Sequence, residues 1–205
     1  MSMIRVTDLT FAYPGSYDNI FEHASFQFDT NWKLGFTGRN GRGKTTFLRL
    51  LTGELPHGGA ITGGGPCGYF PPPVTDDSRL TLEVMEAACP AAEEWELLRE
   101  AGLLEVDGEA LYRPFSTLSN GERTKMLLAA LFCGEDRYLL IDEPTNHLDA
   151  HARQVTAEYF RKKRGFLLVS HDRDFLDGCV DHMMAINKTG VEVVSGTFSS
   201  WWENK

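Results

Sequence analysis

Gly38-Arg39-Asn40-Gly41-Arg42-Gly43-Lys44-Thr45 is the stretch on which the reading of this chain turns. It fits G-x-x-x-x-G-K-[ST], a pattern that average composition produces in about one in a hundred chains of this length. Gly38, Gly41 and Gly43 let the backbone turn tightly, so that its N–H groups point inward. Residues 45–52 carry Phe47, Leu48, Leu50 and Leu51 at helical spacing, and Gly53 supplies a stop. That helix adds the positive end of its dipole to the loop. Residues 32–37 read as a short strand running into it. Strand, glycine loop and helix together make a phosphate cradle (a P-loop) at residues 38–45. Lys44 can reach the β- and γ-phosphates, the Thr45 hydroxyl can ligate Mg2+, and Thr46 is expected among the ATP-binding residues.

Three further segments follow in order: Leu118-Ser119-Asn120-Gly121-Glu122, Tyr138-Leu139-Leu140-Ile141-Asp142-Glu143-Pro144 and Ser170-His171-Asp172. Runs 138–141 and 166–169 are wholly apolar, as buried parallel strands are. The first ends in Asp142 and Glu143. Alone, such a pair is often a strand end meeting a turn, and a lone histidine is usually structural. Downstream of a phosphate loop the pattern points to chemistry. Asp142 is expected to hold the metal through water, Glu143 to orient or activate the attacking water, and His171 to hydrogen-bond the γ-phosphate. Phosphoryl transfer is mainly positioning and charge stabilisation, and these are the parts it needs.

The rest of the chain fits around these motifs. Residues 3–13 alternate apolar and polar, and Phe26 and Phe28 suggest a strand paired to the first. Residues 56–73, rich in glycine and proline, read as loops with one short strand over 67–70. Residues 80–104 look helical, with Pro90 opening a second helix in its first turn. Ser119 and Glu122 fit a capping box for a helix over 119–132. Asp149 reads as the N-cap of a helix over 150–161. A last strand covers 191–194.

The 205 residues are 42% hydrophobic and 24% charged, enough for one globular domain with a core. A net charge of -9 argues against a surface built broadly for nucleic acid. The local basic run Arg161-Lys162-Lys163-Arg164 reads as a solvated helix end. No window approaches the ~18 apolar residues of a membrane span. The N-terminus lacks a signal-peptide core. A soluble, cytoplasmic protein is expected. Cys67, Cys89, Cys133 and Cys179 are well separated and read as free thiols, with neither a disulfide framework nor a zinc site.

Phosphate loop, Leu-Ser-x-Gly-x segment, carboxylate strand and histidine, in that order, resemble the nucleotide-binding domain of the ATP-binding-cassette superfamily over essentially the whole chain. The resemblance implies an α/β P-loop NTPase with a mostly parallel core sheet, an N-terminal antiparallel β part and a small helical subdomain. Residues 1–75 and 134–205 would form the core and residues 76–133 the subdomain. It implies ATP and Mg2+ as ligands, Tyr13 stacking on adenine (with Phe11 and Tyr17 less well placed), and ATP hydrolysis. Ser119, Asn120, Gly121 and Glu122 form the signature, whose serine and glycine contact ATP held by a second cassette. Asp149 lies in the segment that follows the carboxylates. Glu143-Pro144-Thr145-Asn146-His147-Leu148-Asp149 resembles the ABC-F branch, which lacks membrane domains and carries two cassettes on one chain. The segments 15–21, 32–36 and 198–205 resemble the first cassette of an ABC-F group that protects the ribosome against antibiotics. That implies the ribosome as a partner, and a second cassette either on the same longer chain or in a self-dimer.

Three departures accompany the resemblance. Asn120 and Glu122 replace the usual glycine and glutamine. After Gly68-Tyr69-Phe70-Pro71 the family has a glutamine where this chain has Pro72. ABC-F proteins also continue into a linker and a second cassette, so a fragment of a longer protein is expected. The competing expectations are the ATPase subunit of a membrane transporter and a nucleotide-binding module with little turnover.

Overall fold

A computed structural model describes residues 2–38, 43–134, 137–187 and 190–204. The strands are β1 (Met3–Phe11), β2 (Phe21–Asp29), β3 (Lys33–Thr37), β4 (Gly58–Thr62), β5 (Cys67–Phe70), β6 (Tyr138–Asp142), β7 (Phe166–Val169), β8 (His182–Asn187) and β9 (Gly190–Ser195). The helices are α1 (Lys44–Leu51), α2 (Thr81–Ala88), α3 (Glu94–Leu103), α4 (Asn120–Cys133), α5 (Ala150–Arg161), α6 (Arg173–Cys179) and α7 (Phe198–Glu203). Two short 3-10 turns, Gly108–Tyr112 and Phe115–Thr117, lead into α4.

The central layer is a six-stranded sheet ordered β5-β6-β7-β3-β8-β9, parallel except for the β8–β9 hairpin. A second, antiparallel sheet is ordered β2-β1-β4. Side chains alternate along a strand, so each central strand feeds two cores. Leu140, Leu167, Val169 and Met184 pack with α1 and the antiparallel sheet. Leu139, Ile141, Phe166, Leu168 and Met183 pack with α4, α5, α6 and the helices that precede them. Residues 138–141 and 166–169 are therefore apolar throughout because both faces are covered. The expected fold class, an α/β sheet of mostly parallel strands with an added antiparallel sheet and several helices, is the fold found.

Local chemistry sets the element ends. The Ser119 hydroxyl accepts from Glu122 N at 3.2 Å while Glu122 Oε2 accepts from Ser119 N at 2.8 Å, closing the capping box of α4. Asp149 Oδ1 accepts from Ala152 N at 2.8 Å and starts α5. Pro90 does not open the second helix of the 80–104 stretch. It sits in a turn closed by Ala92 N donating to Cys89 O, and α3 starts after Glu93, whose N–H is capped by Glu96 Oε2 at 2.9 Å. Four elements carry weak sequence signals: β4, β8, α6 and α7. β4 has one large apolar side chain, Ile61, and is held by backbone pairing to β1; Gly59 there has φ 78° and lies against the Thr7 and Asp8 carbonyls.

The basic run after α5 is not uniformly solvated. Lys163 sits 4.4 Å from the Tyr159 ring centroid and donates to Glu100, which is 3% exposed. Tyr159 Oη also donates to that carboxylate, and Arg99 Nη2 reaches its other oxygen at 3.1 Å. Burial pushes the Glu100 carboxyl up, but Lys163, Tyr159 and Arg99 outweigh it and hold the group below its ordinary value. The cluster ties α3 to the end of α5. Glu100→Ala leaves the Lys163 ammonium without its partner carboxylate, and the expected loss of stability is about 3–5 kcal/mol. A urea melt should show this as a lower midpoint with an unchanged slope.

Candidate active site

Parallel pairing places three strand ends side by side. β7 lies between β6 and β3, with Asp142 opposite Val169 and Val169 opposite Phe36. The loop after β3, the carboxylates after β6 and the histidine after β7 therefore open at one edge of the sheet, beyond the carboxyl ends of the strands where α/β sheets hold ligands. A cleft of about 580 Å³ lies there, lined by Tyr13, Ile20, Gly43, Lys44, Thr45, Thr46, Asp142, Glu143, Asn146, Val169 and His171. That is a ligand-sized volume.

Lys44 is 7% exposed and its Nζ donates to Gly38 O at 2.8 Å. Burial pulls its pKa down, and the Glu143 and Asp142 charges oppose that. Thr45 Oγ1 donates to Asp142 Oδ2 at 2.8 Å. Tyr69 Oη donates to the same oxygen at 2.9 Å. Thr45, Asp142 and Tyr69 offer hydroxyl and carboxylate oxygens, the hard donors that Mg2+ takes. Among the described residues no three His, Cys, Asp or Glu side chains gather at one point, so a metal at Thr45 and Asp142 would take its other ligands from phosphate and water.

Glu143 has φ 48°, a left-handed conformation that costs a glutamate ~1–3 kcal/mol. Its N–H is anchored to Val169 O at 2.9 Å, which turns the side chain over the end of β7. Glu143 Oε2 accepts from His171 N at 3.3 Å. His171 Nε2 lies 3.2 Å from Oε1, within ion-pair reach but not aligned as a hydrogen bond, so buried Oε1 keeps an open acceptor site. Burial raises the Glu143 pKa, against the attraction of His171 and Lys44. A carboxylate with raised basicity is suited to accept a proton from water.

Tyr13 lines the cleft, with its hydroxyl 3.0 Å from Thr46 Oγ1 and its ring edge-on to Phe11. Phe11 is buried in the core and Tyr17 is fully exposed, so Tyr13 is the aromatic residue of the three at the cleft. Arg39, Asn40, Gly41 and Arg42, placed in the loop from the sequence, lie outside the described residues. Ser119, Gly121, Glu122 and Asp149 do not line the cleft. Asn120 lines an adjoining one of about 460 Å³ with Thr45, Asp142, Glu143 and Arg123. Gly121 packs close to the backbone of the carboxylate segment: a Cβ there would lie 3.3 Å from His147 O. The sequence reading had not assigned roles to Tyr69, Ile20 or Val169. Tyr69 had a signal, as a polar residue in an apolar strand, but the neighbour of that strand is a tertiary fact.

Gly43 has φ 90° at the start of α1, and a Cβ there would lie 2.2 Å from Ile20 Cγ2. Gly43→Ala is expected to cost about 1–3 kcal/mol and to abolish nucleotide binding. A denaturant melt and a nucleotide titration of the folded variant would check the two effects separately.

Comparison with known proteins bears on family and fold. Residues 21–146 match the model of the ABC transporter family. The chain is 29% identical to ABC transporter F family member 3 of Arabidopsis thaliana, over 97% of this chain and 29% of that protein. It is 30% identical to the ATP-binding protein YdiF of Bacillus subtilis (strain 168), over 99% of this chain and 32% of that one. The chain thus spans about three-tenths of the length of these relatives. In fold it superposes on a bacterial Atm1-family ABC exporter with ATP bound, TM-score 0.79 at 17% identity, over 98% of this chain and 42% of that one. No helix among the described residues is long and apolar enough to cross a membrane. Together, the family match and the F-branch relatives make the chain a member of the ABC transporter family, an ATP-binding ABC ATPase cassette of the ABC-F-like kind.

Proposed function

We propose that the chain is an ATP-driven switch, the cassette of an ABC-F protein that acts on the ribosome in the cytoplasm. The observation that carries this is the gathering of Lys44, Thr45, Asp142, Glu143 and His171 around one cleft. In this reading Tyr13 stacks on adenine, and the loop N–H groups and Lys44 hold the β- and γ-phosphates. Thr45 and Asp142 would hold Mg2+, and the ion, when bound, would neutralise charge on the phosphate oxygens. Glu143 orients the attacking water and takes its proton on the carboxylate. His171 holds that water in line with the γ-phosphate.

Ser119 and Gly121 stand away from the cleft of their own chain, which supports a role in completing the ATP site of a second cassette. Asp149 would sit at the same interface. ATP binding would then favour the closed pair and hydrolysis the open one. The F-branch names of the relatives, together with Asn146-His147 and the loss of the glutamine at Pro72, favour the ribosome over a membrane partner and admit a role in antibiotic resistance.

Glu143→Gln is expected to keep ATP binding and to lower hydrolysis by about 10²-fold or more, the scale for losing a positioned base. Unchanged turnover would remove Glu143 from this role. The 205-residue chain should hydrolyse ATP poorly, at a specific rate that rises with protein concentration. A good rate independent of concentration would overturn the requirement for a second cassette.

A further inference from the structure

The Asp142 carboxylate is held from two sides. Thr45 Oγ1 reaches Oδ2 from the start of α1 at 2.8 Å, and Tyr69 Oη reaches the same oxygen from β5 at 2.9 Å. The topology explains the convergence. β5 and β6 run parallel with Tyr69 opposite Leu140. Alternation then puts Tyr69, Leu140 and Asp142 on one face of the sheet, the face that α1 covers. Tyr69 is close enough along the strand for its long side chain to lie over the carboxylate.

Two donors on Oδ2 leave Oδ1, which receives no hydrogen bond from the described residues, as the oxygen with open lone pairs. A tyrosine hydroxyl is protonated at neutral pH, and toward a carboxylate oxygen it can only donate. Beyond Phe70 the chain continues with Pro71-Pro72-Pro73, whose side chains neither donate nor accept. Tyr69 is thus the hydrogen-bonding side chain that this strand brings to the Asp142 corner.

We propose that Tyr69 is a positioning residue for the metal: its hydroxyl occupies Oδ2, fixes the rotamer of Asp142 and presents Oδ1 to a metal-bound water beside Thr45. The proposal rests on the reading of the cleft as a MgATP site. It assigns to a strand tyrosine the orienting of a metal-holding carboxylate, the kind of outer contact whose loss weakens metal binding by about 10–100-fold.

The test is the affinity of the chain for a fluorescent ATP analogue, measured in EDTA and again in saturating Mg2+. Four proteins are compared: wild type, Tyr69→Phe, Thr45→Ala as the loss of the direct ligand, and Lys44→Ala as the loss of the phosphate contact. Tyr69→Phe should bind the analogue in EDTA as wild type does and lose about tenfold of the gain that Mg2+ confers. Its melting temperature in EDTA should match wild type, which separates positioning from packing. An unchanged Mg2+ gain overturns the role of Tyr69, as does an equal loss with and without Mg2+. If wild type itself binds no analogue, or Lys44→Ala binds as well as wild type, the MgATP reading of the cleft fails, and this inference with it.

Discussion

The parallel pairing of β7 between β6 and β3 is the constraint on which the rest of the molecule depends. It brings the loop after residue 37, the carboxylates at 142–143 and the histidine at 171 to one edge of the sheet. It also dictates that both faces of these strands be covered, because parallel strands need crossover connections that lie on the faces. Hence α1 and the antiparallel sheet form one side and α4, α5 and α6 the other, and the polar groups collect at the strand ends.

At that edge, burial and charge oppose each other. Lys44 is buried enough to lose basicity, and Glu143 enough to gain it, so each limits the other's shift. The same balance appears at Glu100, where Lys163, Tyr159 and Arg99 outweigh burial. The two sites differ in what remains unsatisfied. The Glu100 oxygens are fully engaged, as a structural pair should be, whereas Glu143 Oε1 keeps an open acceptor position and its backbone keeps φ 48°. Glu143 thus combines a left-handed backbone with a buried oxygen that no described group hydrogen-bonds, a combination that Glu100 lacks.

Much of this was legible before any coordinates. The capping box at Ser119 and the N-cap at Asp149 are local, since each joins atoms three residues apart, and both appear where the sequence puts them. The apolar runs at 138–141 and 166–169 state their own burial. Elements held by distant backbone, such as β4 with its single large apolar residue, left little pattern to read. Pro90 was misleading because its preference for a first helical turn is also met in an ordinary turn, and the Glu93–Glu96 cap decided where α3 begins.

The sequence by itself determined the phosphate loop, the order of the four motifs, the fold class and the identities of Lys44, Thr45, Asp142, Glu143 and His171 as candidates. The motifs and candidates follow from residue types at short spacing, where chemistry and local geometry are inseparable; the fold class follows from the family resemblance those motifs carry. Only the tertiary structure decided that Tyr69 shares an oxygen of Asp142 with Thr45 and that Lys163 is held by Glu100. Each of these depends on which strand or helix lies next to which, and on which face a side chain leaves. Pairing across the chain fixes both, and spacing along it does not.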